Sequence, residues 1–591
     1  MIQQQYSQNT AVDERCIRLD LGKREKRTYY VFRLAPVLFL VLCEWFFFRN
    51  MYGTDALFGD VGDGRLTMLV AEHWYRVFQG KARIADLGMF YPAQNTLAYS
   101  DMLLGYGVVH SILRILGLNI YYAYKYTILM VHAIGTFSCY WLLRRTLRLR
   151  RGSSLLGTTA FSFSDTYIAS LIHTQLGALS FLPIAAILAV CFFRNLQNRR
   201  KRNAYIYLCI SILALVLYTS WYTAFFIAVF VVVGCLVGLL YCGVIRINIW
   251  VIIKTFINKV RFDLIAYFLF TVVMLLPFAI LEMPMMKMSG GYSTGQVRMY
   301  IPELIDVIHV SRYNWLLGCF FENTAWLNER GLTTEVICGF SFVLLGVFLY
   351  SLIRSFAVNQ TKKAIPQIIA ITVIVCILLT IQWKGPAFCG WRLINKLFPG
   401  GKSIRAIARF FVFLNLPMSI ATAHLWDLSK KRRNRYDIYN RNEHIASCCL
   451  LAMVLLSNMS TVGAPSSWNA VTAERKITSV SAPPEDCESF YIMHLTKPDD
   501  TLVQEFSAAA IANIKQIDAY EIADRFGIPT LNGYSGILPL DWNMRSIDDE
   551  GYLPDVEDWV KKHSLQKVYA YLQEEDQWIR LEGIEETRPC F

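Results

Sequence analysis

Long apolar runs, separated by short polar or basic segments, occupy most of this chain up to about residue 460. Most runs extend over roughly 17 to 25 residues, the length that a helix rising about 1.5 Å per residue needs to cross a bilayer core. The pattern therefore predicts about eleven membrane-spanning helices, at residues 34–48, 120–143, 154–172, 176–193, 204–220, 223–245, 264–281, 334–353, 365–383, 410–426 and 445–459.

Basic residues set the predicted orientation. Clusters of Lys and Arg fall in alternate loops, which the positive-inside rule makes cytoplasmic, at residues 23–33, 144–151, 194–202, 246–261, 354–363 and 430–441. A span at 102–118 would break this alternation, so that apolar segment is predicted to lie in, or re-enter, the outer interface.

The predicted topology gives a multi-pass protein of the inner (cytoplasmic) membrane. Residues 1–33 form its cytoplasmic N-terminal segment and residues 34–459 its transmembrane domain. Four segments face the extracytoplasmic side, at 49–119, 282–333, 384–409 and 460–591. The fold class is mainly α, with the last segment long enough for a small α/β domain. Its strands are predicted at 489–495 and 566–572 and a helix at 556–563.

Composition and charge agree with this organisation. Hydrophobic residues make up 55% of the 591 positions, above the roughly 45–50% of soluble domains. The net charge of +13 does not indicate nucleic-acid binding, because the excess of basic residues lies in short loops and the part after Ser460 is acidic. Many of the 15 cysteines lie in apolar runs and indicate no metal motif, although Cys487 and Cys590 are candidates for a disulfide.

The first outer loop concentrates acidic residues and glycines. It begins GDVGDGR (59–65), where glycines permit turns that present Asp60, Asp63 and Arg65 just beyond the first span. One interpretation is an acid–base or cation site. The other is an Asx-type turn in which Asp63 caps the next helix, and both stay open here.

Residues 66–79 are predicted to form an amphipathic helix at the interface. At about 100° per residue, apolar side chains fall on one arc, with Arg65, Glu72 and Arg76 on the opposite one and His73 at its flank. Either this polar edge faces a water-filled cleft, or Glu72 and Arg76 form an i,i+4 pair on a solvated face. The loop ends at Asp101, a helix cap or a second catalytic carboxylate.

These motifs together resemble the first outer loop of bacterial membrane glycosyltransferases of the GT-C superfamily. The resemblance rests on GDGR (62–65), EH (72–73), YP (91–92) and TLAYSD (96–101). The segments HTQ (173–175), FPGGKSIRAIARF (398–410) and PTLNGYSG (529–536) are also similar to that group. The resemblance implies a GT-C fold and transfer of a sugar from a polyprenyl-phosphate carrier on the extracytoplasmic face, with a carboxylate of the first outer loop taking part.

The resemblance also suggests roles for individual residues. Asp63 is expected to be the general base, while Glu72, His73 and Asp101 orient the acceptor. The same acids, Asp63, Glu72 and Asp101, would hold a divalent cation (Mg²⁺ or Mn²⁺) if one is used, although their spacing matches no metal motif. The remaining substrate-binding candidates are Asp60, Arg65, His173, Gln175 and Tyr534.

A basic segment supplies candidate donor-phosphate ligands. Lys402, Arg405 and Arg409 repeat at spacings of three and four, which places them on one face of a helix at the outer interface. Arginine binds phosphate oxygens with a planar fork of donors, and lysine acts as a point charge. The alternative is snorkelling to lipid headgroups.

Three further features have two interpretations each. Glu44 lies in an apolar run and is predicted to be structural, whereas Asp165 either lines a carrier tunnel with His173 or pairs with a neighbouring span. The flexible stretch SGGYSTG (289–295) is either a lid or a mobile linker.

The sequence thus predicts a glycosyltransferase whose partners are a polyprenyl-phosphate-linked sugar, a glycan or lipid-linked acceptor and membrane lipids. Two other classes stay open: a lipid or polysaccharide transporter (flippase), and an O-antigen polymerase or ligase. A transporter is expected to carry inverted repeats, which the sequence does not show. A polymerase or ligase explains the arginines but not the acidic first loop.

Overall fold

The computed structural model describes residues 23–244, 248–357, 363–383, 385, 388–429, 441–493, 508–547 and 551–581. Helices make up most of this part of the chain. They are α1 (Lys23–Phe47), α2 (Asp63–Phe78), α3 (Leu104–Ile115), α4 (Ile120–Trp141), α5 (Arg151–Ser162), α6 (Asp165–Ala169), α7 (Leu182–Arg194), α8 (Arg199–Thr219), α9 (Trp221–Val244), α10 (Ile249–Val260), α11 (Leu264–Ser289), α12 (Thr294–Arg298), α13 (Gly318–Asn323), α14 (Ala325–Asn328), α15 (Phe342–Phe356), α16 (Ala364–Thr380), α17 (Trp391–Leu397), α18 (Arg409–Ser429), α19 (Arg441–Ser457), α20 (Ala470–Ser479), α21 (Ala508–Phe526) and α22 (Tyr552–Lys562).

Several of these helices have the length and composition of membrane spans. Five of the described segments qualify in full: Ile120–Thr146, Thr174–Arg194, Arg199–Thr219, Trp221–Val244 and Leu264–Ser289. Five shorter apolar helices accompany them: Leu34–Phe47, Leu104–Ile115, Phe342–Phe356, Ala364–Thr380 and Ile445–Ser457. The chain is a helical membrane protein, and the number of eleven spans stays a prediction.

Three predicted spans differ from the observed helices, and the one at 334–353 corresponds to α15, which begins only at Phe342. The run at 154–172 is not one helix, because α5 ends at Ser162 and the chain continues through the short α6 and a 3-10 turn at Ser170–Ile172. The run at 264–281 continues to Ser289 despite Pro277 and Pro284, so residue 282 lies inside a helix and does not begin a loop.

The segment at 102–118 forms α3, which has 12 residues. At 1.5 Å per residue this helix is about 18 Å long, well short of the roughly 30 Å hydrocarbon core. The length agrees with the predicted interfacial or re-entrant helix.

Helix α18 lies at the centre of the bundle. Nearly all its side chains are buried, and it packs against α5, α15 and α16. Its first residue, Arg409, lies at the end of the bundle where the long loops gather. We call this the loop end.

The C-terminal region combines helices with a three-stranded sheet. Strands β3 (Ser489–Met493) and β4 (Val568–Leu572) pair in parallel, and β4 pairs antiparallel with β5 (Gln577–Arg580). Strands β3 and β4 and helix α22 overlap the segments predicted at 489–495, 566–572 and 556–563, whereas β5 was not predicted. The candidate disulfide partner Cys590 lies outside the described residues, and Cys487 is buried as a free thiol.

The C-terminal region is attached to the first loop from its start. Strand β1 (Ala56–Leu57) pairs antiparallel with β2 (Trp468–Asn469). This attachment brings the region against the loop end of the bundle.

Buried polar side chains join the helices near the loop end. His132 and Thr136 of α4 hydrogen-bond the carboxylate of Glu44 at 2.9 and 2.7 Å, which agrees with its predicted structural role. Asp165 accepts hydrogen bonds from the backbone N–H and the hydroxyl of Ser311 at 2.8 and 3.1 Å. These contacts give both acids partners inside the protein, as buried charges require.

Candidate active site

A glycine-rich turn positions Asp63. Oδ1 of Asp60 accepts hydrogen bonds from the backbone N–H groups of Gly62 (3.0 Å) and Gly64 (3.3 Å), which closes an Asx-type turn. A Cβ atom on Gly64 would lie 2.8 Å from the carbonyl oxygen of Phe58, so this position requires glycine. The Asx turn thus belongs to Asp60. Asp63 begins α2 with its side chain free of any capping bond.

Two side chains from distant parts of the sequence hold Asp63. Nδ1 of His173 lies 2.9 Å from Oδ2, and the hydroxyl of Tyr534 donates to Oδ1 at 2.8 Å. His173 stands where a 3-10 turn ends and the next one begins. The side chains of Asp63 and His173 are 30% and 21% exposed, so a ligand can reach the pair.

The surroundings of Asp63 keep its carboxylate ionised. Burial alone would raise the pKa, but the hydrogen bond and charge of His173, the Tyr534 hydroxyl and the charge of Arg409 outweigh it and lower the pKa of Asp63 to about 2. An ionised Asp63 accepts a hydrogen bond from the Nδ1–H group of His173. In the neutral ring, Nε2 then carries the lone pair. For Tyr534, burial and the nearby carboxylate raise the pKa well above its usual value.

Arg409 brings positive charge close to this carboxylate. Its Nη2 lies 2.8 Å from Oε2 of Glu335, and its guanidinium lies 5.2 Å from the ring centroid of Tyr222. The Arg409 side chain is buried, and its charge is sufficiently near to act on Asp63. Glu335 therefore balances an otherwise uncompensated buried cation.

Arg405 is the more accessible of the two arginines. Its side chain is 43% exposed, and the guanidinium lies 5.1 Å from the ring of Tyr300 and 5.7 Å from that of Tyr292. The distance to Glu335 is 4.0 Å, too long for a hydrogen bond. The fork of donors on Arg405 is thus oriented by aromatic rings and available to a ligand.

The prediction that Lys402, Arg405 and Arg409 lie on one face of a helix is wrong. A 3-10 turn at Gly401–Ser403 ends before Arg405, and α18 begins only at Arg409. Between them the backbone N–H groups of Arg405 and Ala406 donate to the hydroxyl of Tyr222 at 3.1 and 3.2 Å, instead of to helical carbonyls. The two arginines nevertheless meet at one place, because the chain folds around Tyr222.

The stretch at 289–295 packs against Lys402. The backbone N–H of Tyr292 donates to the Lys402 carbonyl at 2.8 Å, and a Cβ on Gly291 would lie 2.7 Å from the Lys402 Cβ. The Lys402 side chain is exposed. The stretch thus holds Tyr292, one of the rings beside Arg405, and its role as a lid or a linker stays a prediction.

Asp101 lies next to the same cluster. Its Oδ1 accepts a hydrogen bond from the backbone N–H of Trp221 at 2.7 Å, and the indole of Trp221 donates to the Ser403 hydroxyl at 2.6 Å. Burial raises the pKa of Asp101 to about 6, partly offset by the Trp221 N–H and by Arg409. The Asp101 carboxylate is a hydrogen-bond acceptor in the same region as Asp63.

Glu72 and His73 do not contact the described residues around Asp63. The Glu72 carboxylate accepts hydrogen bonds from His110 (2.8 Å) and from Nε of Arg114 (2.9 Å), and the His73 ring lies 3.2 Å from the carbonyl of Ile84. Both side chains are buried. The predicted water-exposed polar edge of α2 is thus wrong, since each of its charges is paired inside the protein.

Arg65 joins α2 to the C-terminal region. It forms buried ion pairs with Asp518, at 2.8 Å, and with Glu521. This network attaches the C-terminal region to α2 and engages both terminal nitrogens of the guanidinium. Gln175 is half-buried two residues from His173 and makes no hydrogen bond to any described residue.

The structure does not bring the three candidate metal ligands together. Glu72 is engaged with Arg114, away from Asp63 and Asp101. Within the described ranges, no group of three or more His, Cys, Asp or Glu side chains could hold a metal ion.

The segment at 529–536 carries Tyr534 to the site. The backbone N–H of Phe90 donates to the Asn532 carbonyl and that of Tyr91 to the Thr530 carbonyl, both at 2.9 Å. The pairing aligns the segment along the first loop. The C-terminal region is therefore part of the site.

Sequence reasoning missed Glu335 and Tyr222. Glu335 lies at the edge of the predicted span at 334–353, and an ionisable residue in that position was the available signal for a functional role. Tyr222 lies in the first turn of α9, and only the tertiary structure shows that its hydroxyl contacts the arginine segment.

Comparisons with known proteins give distant similarity only. No protein-family model matches the chain, and no curated protein matches it. Among solved structures, the arabinofuranosyltransferase AftD from Mycobacteria is similar at 13% identity and a TM-score of 0.42, over 78% of this chain and 29% of AftD. The chain thus spans less than a third of the length of AftD.

An oligosaccharyltransferase from Archaeoglobus fulgidus, tethered to an acceptor peptide by a disulfide bond, is similar at 11% identity and a TM-score of 0.46. The match covers 91% of this chain and 69% of that enzyme. Similarity at this level carries no argument about activity, which must come from the site itself.

Proposed function

We propose that the protein is a membrane glycosyltransferase that moves a sugar from a polyprenyl-phosphate donor to a hydroxyl group of an envelope glycan or lipid-linked acceptor. The observation that carries this proposal is the convergence of Asp63, His173 and Tyr534 beside Arg405 and Arg409. One cleft then offers a proton acceptor and cationic donors, which displacement of a phosphate from a sugar needs.

Asp63 and His173 act together on the acceptor in this proposal. The acceptor oxygen forms a bond to the anomeric carbon of the sugar while the bond from that carbon to the phosphate oxygen breaks. Polyprenyl phosphate leaves with the bonding electrons, and the acceptor proton passes to the Asp63–His173 pair. The carboxylate keeps lone pairs beyond the two hydrogen bonds it already accepts, and Tyr534 fixes its orientation.

Arg405 is the principal ligand of the donor phosphate. Its guanidinium is exposed, oriented by Tyr292 and Tyr300, and only distantly engaged with Glu335. Lys402 adds a mobile charge nearby. Arg409 is buried against Glu335, so its contribution is the positive potential that favours both the ionised Asp63 and the departing phosphate.

The proposed reaction takes place on the extracytoplasmic side of the inner membrane. The charge distribution of the loops supports this side, because the clustered Lys and Arg residues of the connections lie at the opposite end of the predicted topology. A lipid-linked donor would enter from the bilayer and a polar acceptor from water, both at the loop end, where Asp63 and Arg405 lie.

The test is a transfer assay with purified protein in nanodiscs. The probes are decaprenyl-phosphate esters of several labelled hexoses and pentoses, each mixed with short glycan and lipid-linked acceptors. Transfer must release free decaprenyl phosphate together with a glycosylated acceptor. Movement of intact donor between leaflets of a proteoliposome, without cleavage, would instead indicate a transporter.

Matched variants connect activity to the site. Arg405→Gln is expected to raise the KM for donor by about 10- to 100-fold, since a charge-assisted bidentate contact is lost. Arg298→Gln, an exposed arginine of the same outer segment, is the control and should behave as the wild type. Equal KM values for the two variants would remove Arg405 from the donor site.

A further inference from the structure

Glu282 is a buried carboxylate with no hydrogen-bond partner. It lies in α11, its relative exposure is 8%, and no described residue donates to either of its oxygens. An ionisable side chain buried near the end of a membrane helix is costly and is retained where it serves a ligand or a partner. Nothing in the reaction proposed above uses it.

The face of α11 that carries Glu282 is turned toward Trp221. Phe278, one turn earlier, stacks on the Trp221 indole with ring centroids 5.7 Å apart and an angle of 19°. Met286, one turn later, reaches to 3.8 Å from the position of a Cβ on Gly400, which itself would contact Trp221 at 2.6 Å. Residues spaced by four share a helix face, so the spacing places Glu282 between these two contacts, on the face of α11 that packs toward Trp221.

A second carboxylate, that of Asp101, contacts the backbone of the same tryptophan. Oδ1 of Asp101 accepts the hydrogen bond from the Trp221 backbone, whereas Oδ2 has no described donor. Asp101 and the helix face that carries Glu282 thus lie against the same tryptophan. Both oxygens of Glu282 and Oδ2 of Asp101 have no described donor, although buried acceptors are normally hydrogen-bonded.

We propose that Glu282 and Asp101 form a subsite that binds hydroxyl groups of the transferred sugar. A sugar ring presents several O–H donors in fixed directions, and it supplies the donors that these oxygens lack. This inference rests on the proposed glycosyl transfer and specifies where the sugar of the donor lies.

The position of the subsite fits a single donor molecule whose sugar binds at Asp101 and Glu282 and whose phosphate binds at Arg405. The Trp221 indole donates to Ser403, and Ser403 lies two residues before Arg405. The sugar at Asp101 and Glu282 is thus adjacent to the segment that binds its phosphate. Asp63 belongs to the same region, because Tyr534, which donates to Asp63, precedes Ser535, whose hydroxyl donates to the carbonyl of Tyr99 two residues before Asp101. The anomeric carbon would lie between these groups.

The experiment combines the variant Glu282→Gln with donors that lack one hydroxyl. Gln has the same size and loses the charge, and Glu329→Gln, an exposed acid of the following outer loop, is the matched control. The probes are the decaprenyl-phosphate sugar that the wild type transfers and its monodeoxy analogues. Binding is measured separately with phosphonate analogues of these donors, which cannot transfer their sugar.

We expect Glu282→Gln to weaken binding of the complete donor by about 10- to 100-fold. One monodeoxy donor should bind the wild type with a similar loss and should lose little more in the variant. Equal proportional losses for every deoxy donor, or unchanged donor binding, would overturn the subsite. A loss seen only when Mg²⁺ or Mn²⁺ is present would also overturn it, in favour of a cation held by the pair.

These results are distinguishable from failure of the proposed function. If the wild type transfers sugar and Glu282→Gln binds every donor equally well, the subsite fails while the proposed function stands. If no donor is cleaved but the wild type discriminates one deoxy analogue from the complete donor and Glu282→Gln does not, the transfer reaction fails and the subsite stands. Thermal unfolding of both variants establishes folding, and Glu282→Asp, which keeps the charge, replaces Glu282→Gln if that protein is unfolded.

Discussion

Replacing Tyr534 with phenylalanine tests whether the C-terminal region takes part in the reaction. The variant removes only the hydroxyl that donates to Asp63 at 2.8 Å. Together, the contacts of Asp63 lower its pKa from 3.8 to about 2 against the opposing effect of burial, a net stabilisation of the ionised form by roughly 2 kcal/mol. A hydrogen bond to a charged group is worth about 1.5–3 kcal/mol, and the Tyr534 hydroxyl contributes after the hydrogen bond and the charge of His173.

We therefore expect Tyr534→Phe to lower kcat/KM for the acceptor by about tenfold, since an oriented base is partly lost. Donor binding, measured with the phosphonate analogue, should be unchanged because Arg405 is untouched. Tyr569→Phe is the control: it removes a hydroxyl that donates to the carboxylate of Asp486 at 2.8 Å on the sheet of the same region. If both variants keep full activity, or both lose it equally, the assignment of Tyr534 to the site is refuted.

Three further predictions concern stability, pH and charge. Glu521→Gln should destabilise the docked C-terminal region by roughly 3 kcal/mol, because Arg65 loses one partner of a buried ion pair; limited proteolysis and thermal unfolding measure this, and an unchanged digestion pattern would contradict it. Transfer should fall as the pH drops through about 6, because Asp101 takes up a proton there, whereas Asp63 stays ionised down to about pH 2. In a pH–rate profile, Asp101→Asn should remove this acidic limb. If the limb persists in that variant, the limb belongs to another group. Arg405→Lys should recover only part of the donor affinity lost in Arg405→Gln, since lysine lacks the planar fork; full recovery in a donor titration would show that charge alone suffices.

The sequence predicted the general architecture because hydrophobic length is a direct consequence of the bilayer. Helices such as α8 and α9 lie within a few residues of their predicted positions. The predicted single span at 154–172 failed because apolar composition does not reveal a break, and the chain between α5 and α6 is stabilised by tertiary contacts such as that of Asp165 with Ser311.

The candidate site was only partly accessible to sequence reasoning. Asp63 and Asp101 were recognisable from the acidic, glycine-rich first loop, and Arg405 because a cluster of basic residues is unusual on the predicted outer side. Glu72 shares the same local pattern, and only the packing of α2 on α3 shows that His110 and Arg114 neutralise it. A helical-spacing argument cannot distinguish an exposed polar edge from one that is covered by another part of the chain.

The arginine segment shows the same limit in the opposite direction. A spacing of three and four predicted a helix, whereas the hydroxyl of Tyr222 draws the backbone N–H groups of Arg405 and Ala406 out of helical hydrogen bonding. The cluster forms all the same, because Glu335 and the aromatic rings hold the two guanidinium groups. The residue types were informative, and the local geometry depended on residues far away in the sequence.

The most direct test of the account is the release of free decaprenyl phosphate by the wild type and by Asp63→Asn, with Asp558→Asn, an exposed acid of α22, as the control. Mass spectrometry of nanodisc reactions counts the released carrier and the glycosylated acceptor together. The account predicts equal amounts of both from the wild type and the control, and a loss of about 100-fold or more in folded Asp63→Asn, as expected for removal of a general base. Full activity of Asp63→Asn, or redistribution of uncleaved donor by the wild type, would contradict it.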